Sequence, residues 1–495
     1  MLKYFEKALL LSLFICTSCV TEDDIYLPDT VNPNPEAGVQ VQDFMWKAMN
    51  FWYFWQTDVE NLADDTFPRT SEGADMYTEF LASENSPGEF FDNKLLFSED
   101  RFSFYNDDYV ELTQSLAGIS KSNGMEFGLV RIPNSDQIVG YVRYIIPNSD
   151  AESKPIDRGD LFTGVNGSSL NDSNYINLLF GSNDTYTLNM ATLVDGKPEP
   201  NGEEITLTKQ DNLQENPIYL DDIIEKGGKK IGYLIYNGFT NEFDEQLNEV
   251  FGRFKTKNVT DLVLDLRYNP GGSVNTARLL SSMIYGTNPD DVFLKARYND
   301  KYQKILENNK TDVQDYFADK TGNGSSINSL NLKKVYVLTT QSSASASELV
   351  INGLTPYMEI VQIGEKTRGK NEFSVTMVDD RENNYLYSPK RVDKINSDNR
   401  WAIQPLLGRN ENADGFSDYT AGLIPDIELK ESLSNLGALG DLNEPLLAKA
   451  IQEITGATTA KVDFSVAIPM ENITSSKLHT PLGDTMYVTD LPMVQ

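Results

Sequence analysis

The pattern of hydrophobic and polar positions divides the chain into three stretches. From Val41 to about Phe104, apolar and aromatic residues recur at three- and four-residue spacing, which predicts helices with one buried face. From Gly124 to about Lys209, short alternating runs are separated by turn residues, which predicts a β-rich domain. From Ile231 onward, apolar strand-like runs alternate with helical patterns. This alternation predicts an α/β domain with a largely parallel sheet.

The aromatic residues of the first stretch allow two interpretations, a packed helical core and a ligand-binding aromatic box. We interpret them as a packed core, because their spacing is that of one helix face. The repeating positions are Phe44, Met45, Ala48, Phe51, Trp52 and Trp55.

Within the third stretch, the segment from Val335 to Lys370 has the pattern of strand, turn, helix, strand and loop. An apolar run is followed by the small residues Ser342–Ser347, a helical pattern from Glu348 and a second strand at 359–363. A serine in such a turn would present its hydroxyl at the edge of a sheet, beside the free N–H groups that begin a helix. That geometry suits a nucleophile, and a lysine in the following loop could be its base.

Two further strand–helix units precede this segment. A strand begins at Ile231, and Asn241 is expected to cap the helix after it. A second strand runs from Val259 to Arg267 and ends in the turn Asn269-Pro-Gly-Gly272, before another helix. Ligand loops gather where parallel strands end and helices begin, so this turn and the serine-rich turn are both candidates for the site.

The remaining parts of the sequence support fewer predictions. The polar stretches 301–330 and 380–400 are expected to be surface loops. A short strand is predicted within 421–428 and a helix within 444–454. No element is predicted beyond about residue 458.

Composition excludes several classes of partner. The chain has 495 residues, 40% of them hydrophobic, and a formal net charge of −32. Such an acidic chain is not expected to bind nucleic acid or an anionic membrane surface.

The first 19 residues have the features of a targeting segment. Lys3 and Lys7 precede an apolar run at 8–15 that is too short to span a bilayer. The segment resembles a bacterial lipoprotein signal, with Cys19 as the lipidated residue, and an ordinary secretory signal is the alternative. The resemblance implies an exported protein, lipid-anchored to the outer membrane and periplasmic or cell-surface. The acidic residues 22–24 resemble a surface-display signal, or they are a solvated linker.

The scarcity of cysteine and histidine limits the catalytic mechanisms that are open to this chain. Both cysteines, Cys16 and Cys19, lie in the targeting segment, so no disulfide, thiol nucleophile or cysteine metal site is expected in the body. The only histidine, His479, lies in the tail and is interpreted as exposed; a Ser-His-Asp triad would need the tail to fold back. No metal and no cofactor are predicted. A serine hydrolase built from this chain would therefore use a lysine base.

Two lysines could serve as that base, Lys366 and Lys370. The neighbouring Glu365 would hold Lys366 in its charged form, which favours Lys370. The oxyanion would need N–H donors, which the residue after the nucleophile and the flexible Gly271-Gly272 turn could provide.

Four motifs occur in order along the chain: Leu264-Asp-Leu-Arg-Tyr-Asn-Pro-Gly-Gly272, Ser343-Ala-Ser-Ala-Ser-Glu348, Gly364-Glu-Lys-Thr-Arg-Gly-Lys370 and Gly422-Leu-Ile-Pro-Asp426. Together they resemble the C-terminal processing (tail-specific) proteases, which form serine peptidase family S41. The resemblance implies a crotonase/ClpP-like catalytic core, with Ser345 as the nucleophile and Lys370 as the base. By the same resemblance, the amides of Gly271, Gly272 and Ala346 would form the oxyanion hole.

The chain departs from the family pattern at one position. Family members commonly have glutamine four residues after the lysine, where it orients the base, and this chain has Ser374. The Ser374 hydroxyl is predicted to take that role, with Glu372 or another group as alternatives.

The β-rich stretch resembles a PDZ domain in the segments 147–151 and 156–167, the latter Ile-Asp-Arg-Gly-Asp-Leu-Phe-Thr-Gly-Val-Asn-Gly. The resemblance implies a peptide-binding module that adds the peptide as a strand. Its loop Gly124-Met125-Glu126-Phe127 would receive the C-terminal carboxylate of a substrate. The alternative is a domain that only spaces its neighbours apart.

Together these observations predict six segments: signal 1–19, linker 20–40, N-terminal helical domain 41–110, PDZ-like domain 115–212, catalytic domain 213–457 and tail 458–495. The predicted function is a serine endopeptidase that cleaves protein or peptide substrates through a Ser-Lys dyad and an acyl-enzyme. Contact with the membrane is expected through the lipid anchor only, and no oligomeric state is predicted. The alternative, suggested by Ser374 and the aromatic N-terminal domain, is a catalytically weak or inactive surface lipoprotein that binds peptides.

Overall fold

The structure is a computed structural model that describes residues 38–132, 135–457, 462–465, 471–481 and 483–492. The predicted targeting segment, with Cys19 and the acidic residues after it, lies outside the described residues. Within the described ranges, no helix is long and apolar enough to cross a membrane.

The predicted parallel sheet is confirmed. Its strands are parallel from the second to the last, and the first pairs antiparallel with the second. In spatial order they are Ile218–Lys226, Lys229–Tyr236, Asp261–Asp265, Lys334–Thr339, Glu359–Gly364 and Ile427–Glu428.

Helices cover both faces of this sheet, because its strands are apolar on both sides. Leu262 and Leu264 pack into the large cluster that includes helices Asp244–Thr256 and Val274–Ile284. Val263, between them, faces the opposite side and packs with helix Pro445–Thr455. The carboxyl ends of the strands therefore open at one edge between the helices.

The helix expected to begin at Asn241 begins later. Residues Asn241–Phe243 form a 3₁₀ turn, and the α-helix starts at Asp244 with Phe243 as its N-cap residue. The Asn241 side chain instead accepts a hydrogen bond from the Thr276 hydroxyl at 2.9 Å. The prediction that Asn241 caps the α-helix is wrong. Its side-chain oxygen accepts a hydrogen bond from Thr276 in a neighbouring helix and does not cap the helix that follows it.

A second sheet lies beside the candidate site. The strand Met486–Tyr487, from the extreme C-terminal region, lies between Gly272–Ser273 and Glu372–Ser374 and is parallel to both. Strands Leu406–Glu411, Val292–Tyr298 and Gln314–Tyr316 complete the sheet in that order. A separate small sheet consists of the strands Phe104–Asn106, Ala402–Gln404 and Met377–Val378, in that order.

The N-terminal stretch is helical, as predicted, and it shares one hydrophobic cluster with the α/β region. The Trp52 indole N–H donates to the backbone carbonyl of Asn384 at 2.9 Å, and the Asn299 side chain donates to the carbonyl of Phe51 at 2.8 Å. This stretch is therefore built into the body of the protein. Its α-helices are Gln40–Trp52, Ser71–Leu81, Pro87–Phe90 and Tyr109–Leu116, with a π-helical turn Phe91–Leu95 and 3₁₀ turns Gln56–Asp58 and Glu60–Leu62.

The β-rich stretch has a hydrophobic core of its own. One edge of its sheet, the strand Met125–Arg131, pairs antiparallel with Glu471–Ser475 from the C-terminal region. The other strands of this sheet are Ile138–Ile145, Leu161–Val165, Ser168–Ser169, Thr185–Val194 and Lys197–Thr208. Strands Ile119–Ser122 and Gln210–Gln214 pair beside it, and Ala151–Ser153 and Tyr175–Leu179 are its short helices.

The stretch 301–330, expected to be a loop, contains the helix Asp300–Asn308, so this prediction is wrong in part. Tyr302 and Leu306, four residues apart, are both buried on one face of the helix. Two apolar positions are too few to stand out in a polar sequence, although they suffice to dock one turn. The stretch 380–400 contains only the 3₁₀ turns Arg381–Asn383 and Pro389–Lys394.

Candidate active site

Ser345 stands at the turn between strand Lys334–Thr339 and helix Ala346–Leu354. Its backbone is in a strained region, with φ +64° and ψ −115°, which residues with a side chain rarely adopt. The side chain is buried, and the hydroxyl has no hydrogen-bond partner among the described residues. A strained, unpartnered serine beside the start of a helix is the geometry of a nucleophile.

The turn at 269–272 brings Gly271 against this serine. Gly271 has φ +117°, and a Cβ atom there would lie 2.6 Å from Ser345 Cβ and 2.7 Å from its hydroxyl oxygen. Only glycine allows so close an approach. The Asn269 side chain holds the turn, because it donates to the carbonyl of Tyr236 and accepts from the Gly271 N–H.

The predicted oxyanion donors differ in what they bind. The Gly271 N–H donates to Asn269 at 2.9 Å, and the Gly272 N–H donates to the backbone carbonyl of Thr485 at 2.6 Å. Ala346 is the first residue of its helix, where N–H groups have no acceptor within the helix. The structure thus gathers these three residues around Ser345, and their assignment as an oxyanion hole stays a prediction.

Lys370 is buried, whereas the competing Lys366 is exposed. Burial lowers the pKa of Lys370 to about 8, and the carboxylates of Asp484 and Glu372 oppose that shift. Its amine donates a hydrogen bond to the backbone carbonyl of Asp484 and lies 4.7 Å from the ring centre of Phe102. In the described part of the chain, no hydrogen bond joins this amine to the Ser345 hydroxyl.

Glu348 connects the two candidates, and the sequence reasoning did not single it out. Its carboxylate accepts from the backbone N–H groups of Ser345 at 2.8 Å, Gly369 at 2.7 Å and Lys370 at 2.9 Å, and from the Thr367 hydroxyl at 2.5 Å. Burial raises the pKa of Glu348 to about 7, and these donors oppose the rise. The signal in the sequence is a glutamate three residues after a serine at a helix start.

We expect Glu348→Gln to lower the free energy of unfolding by about 2–4 kcal/mol. The NH₂ group of the new glutamine would face backbone N–H groups, and two donors cannot form a hydrogen bond with each other. The same change should reduce kcat more than it raises KM, since it releases both the serine turn and the lysine loop. Urea unfolding and steady-state kinetics measure the two effects. As a control, Glu359→Gln removes an exposed carboxylate paired with Lys334 and should change the stability by less than about 0.5 kcal/mol. Equal effects of both variants would contradict the role given to Glu348.

Ser374 does not contact the lysine amine by any hydrogen bond within the described residues. Its hydroxyl donates to the carbonyl of Met486 at 3.0 Å and accepts from the Gln404 side chain at 3.0 Å. The Glu372 carboxylate accepts from Arg409. The groups that do touch the amine, the Phe102 ring and the Asp484 carbonyl, come from distant parts of the sequence, and no local motif announces them.

Because of these contacts, we expect Ser374→Ala to lower kcat/KM by no more than about tenfold, the cost of about one hydrogen bond. Steady-state kinetics beside Lys370→Ala measure the difference. A loss as large as that of Lys370→Ala would show that Ser374 orients the base.

The loop Gly124-Met125-Glu126-Phe127 lies at the edge of the β-rich sheet. The side chains of Ser122 and Asn123 already accept from the Gly124 and Met125 N–H groups. The Phe127 N–H donates to the Ser476 hydroxyl, which itself donates to the Glu126 carboxylate at 2.5 Å. Burial raises the pKa of Glu126 to about 7. The loop is thus occupied by the chain's own C-terminal region.

His479 lies apart from the candidate dyad. It is exposed, and its ring stacks on Phe180 with 3.6 Å between the ring centres. In the ranges that the structure covers, no group of three or more histidine, cysteine, aspartate or glutamate residues could hold a metal ion.

Two family models and several known proteins are similar to parts of this chain. A model of peptidase family S41 matches residues 230–405, and a model of the peptidase S41 N-terminal domain matches residues 40–104. The chain is 27% identical to a crystal structure from Bacteroides fragilis assigned to the S41 proteases, with a TM-score of 0.61, and the likeness covers 84% of this chain and 97% of that one.

Two curated relatives match over shorter parts. The "Carboxyl-terminal-processing protease" of Picosynechococcus sp. is 25% identical over 234 residues, which are 46% of this chain and 49% of the relative. The "Probable CtpA-like serine protease" of Staphylococcus aureus is 24% identical over 354 residues, which are 70% of this chain and 59% of the relative. The chain thus spans about half the length of these relatives. On the two family models and the shared fold, the chain is similar to peptidase family S41 over residues 40–104 and 230–405.

Proposed function

We propose that the protein is a serine endopeptidase in which Ser345 is the nucleophile and Lys370 the general base. The observation that carries the proposal is the strained, buried Ser345 facing Gly271, with a buried lysine of lowered pKa held to it by Glu348. A lysine whose pKa lies near 8 is neutral in a useful fraction of molecules near neutral pH, which a base requires. The substrates are proteins or peptides, as the family implies.

The steps follow from the chemistry of these groups. The neutral Lys370 amine takes the proton of Ser345 as its oxygen attacks the peptide carbonyl carbon. The N–H group of Ala346, with that of Gly272 once the Thr485 carbonyl has moved away, stabilises the negative oxygen that forms, while the Gly271 N–H keeps its hydrogen bond to Asn269. Lys370 then gives the proton to the leaving amine, and water hydrolyses the acyl-enzyme. For the first step, the amine has to turn from the Asp484 carbonyl toward Ser345.

The architecture around the dyad is proposed on the same basis. The parallel sheet with helices on both faces supports a crotonase/ClpP-like core, and the separate β-rich domain, with a strand paired at its edge, supports a PDZ-like insert that binds peptides. The lipid anchor at Cys19, and with it a place at the outer membrane, remain proposals from the first 19 residues.

The test is cleavage of an unfolded polypeptide such as reduced casein by the full chain, with the products identified by mass spectrometry. We expect new peptide ends from the wild type and none from Ser345→Ala. If the wild type binds peptides and cleaves none across a range of pH and peptide sequence, the protein is instead the inactive, peptide-binding lipoprotein.

A further inference from the structure

The C-terminal region of the chain occupies both places where a peptide substrate would lie. We call Glu471–Ser475 the tail strand and residues 483–488 the tail end; residue 482 lies outside the described residues. The tail strand lies on the β-rich domain, and the tail end lies in the catalytic sheet. Each contact is made largely by the backbone, as a bound peptide would make it.

The tail strand lies on the exposed edge of the β-rich sheet. It runs antiparallel to Met125–Arg131, with Ser475 opposite Gly128, and Ile473 packs against the domain's core. The chain then reaches the loop at 124–127, where the Ser476 hydroxyl binds Phe127 N–H. This is the direction in which a strand-adding peptide approaches such a loop.

An anchor fixes the chain just beyond this contact. The Lys477 amine, nearly buried, donates to the Glu215 carboxylate at 3.0 Å and to the backbone carbonyl of Asn237 at 2.6 Å. Asn237 follows strand Lys229–Tyr236 of the catalytic sheet directly. The anchor therefore directs the chain from the β-rich domain toward the site.

The tail end engages the proposed catalytic groups themselves. The Thr485 carbonyl accepts from the Gly272 N–H at 2.6 Å, and the Asp484 carbonyl accepts from the Lys370 amine. A Cβ atom on Gly271 would lie 2.7 Å from the Ser345 hydroxyl and 2.8 Å from the Thr485 oxygen, so the tail backbone reaches the surroundings of the serine. One oxyanion donor and the base are thus both bound to the tail.

We propose that the tail strand and tail end are an intramolecular competitor that keeps the full chain latent, and that substrates displace it. The substrate is then an extended peptide that pairs with the same two edges in the same direction, so that its bound strand lies on the N-terminal side of the scissile bond. This inference rests on the proposed function, because it takes Gly272 and Lys370 as catalytic groups.

A reversible tether tests the displacement. Val130 and Asn472 are directly opposite each other in the antiparallel pair, which is a separation that a disulfide can bridge. In a full chain with Cys16 and Cys19 changed to serine, Val130→Cys with Asn472→Cys would lock the tail strand when oxidised. We expect oxidation to lower the cleavage rate at least about tenfold and dithiothreitol to restore it, because a tethered ligand acts at an effective concentration of order millimolar.

The matched control is a second pair in the same domain. Thr187 and Thr206 are also opposite each other in antiparallel strands, and their hydroxyls share a hydrogen bond at the surface of the domain. Thr187→Cys with Thr206→Cys should cleave at the same rate oxidised and reduced. If the tethered tail also leaves the rate unchanged, the tail is not a competitor.

Removal of the tail gives a second, independent measurement. A chain lacking residues 471–495 should cleave at least about tenfold faster than the full chain, and a synthetic peptide of residues 471–492 should inhibit it competitively. Circular dichroism will show whether the shortened chain folds. If it does not fold, the tether experiment alone tests the proposal. If the peptide binds the shortened chain while no variant cleaves anything, the proposed peptidase function fails and the docking site stands. If cleavage is unaffected by tether, truncation and peptide alike, only the competitor is refuted.

Discussion

Ser345→Ala is expected to lower kcat/KM by about 10,000-fold or more, which is the scale of losing a catalytic nucleophile. The fold should not suffer, because the Ser345 hydroxyl makes no hydrogen bond within the described residues and its removal leaves no partner behind. The measurement is peptide cleavage beside thermal unfolding, where the melting temperature should stay about the same, because alanine keeps the Cβ atom and with it the backbone strain of the turn.

The neighbouring Ser342 provides the matched control for this variant. Its hydroxyl accepts from the Arg143 guanidinium at 3.0 Å and lies in the same turn, three residues before Ser345. Ser342→Ala should retain kcat/KM within a few fold. If it removed activity as completely as Ser345→Ala does, the choice of nucleophile among the serines of this turn would be wrong.

The cleavage rate should rise with pH through about 8 and level off above it. Burial lowers the pKa of Lys370 to about 8, and only the neutral amine can take the serine proton, so the active fraction grows as the pH passes that value. The measurement is kcat/KM between pH 6 and 10 with a peptide that does not itself titrate in this range. A flat profile, or one that falls through pH 8, would contradict a lysine base.

Two substitutions of Lys370 distinguish a role as general base from a role as positive charge. Lys370→Ala should lower kcat/KM by about 1,000-fold and abolish the rise with pH, because removal of a general base costs about that much. Lys370→Arg should not rescue activity, because a guanidinium keeps its proton at every pH used. Substantial activity of the arginine variant would show that the residue supplies positive charge rather than a proton acceptor.

The sequence predicted the part of the fold that depends on local pattern. The apolar runs at 261–265 and 334–339 are buried on both faces in the structure, and such runs identify strands of a covered parallel sheet. The same pattern predicted a turn of small residues at 342–347 after one of these strands, and the family resemblance singled out Ser345 within it. The neighbouring Glu365 and the family resemblance then favoured Lys370 over Lys366, and the structure shows Lys370 buried and Lys366 exposed.

What the sequence did not predict depends on contacts between distant segments. The strand Met486–Tyr487 has two residues, too few for any periodicity, and it forms because two edges in the catalytic region accept it. The Phe102 ring meets the Lys370 amine across more than half of the chain. Asn241 is a good capping residue by type, yet its side-chain oxygen accepts a hydrogen bond from the nearby Thr276 hydroxyl.

The place of Met486–Tyr487 also sets an order of events during synthesis. This strand lies inside the second sheet, between Gly272–Ser273 and Glu372–Ser374, although it is synthesised after every other strand of that sheet. Until those residues emerge, the sheet around the candidate dyad lacks an inner strand and two edges stay open. The candidate site therefore closes only after all the other strands of this sheet have been synthesised.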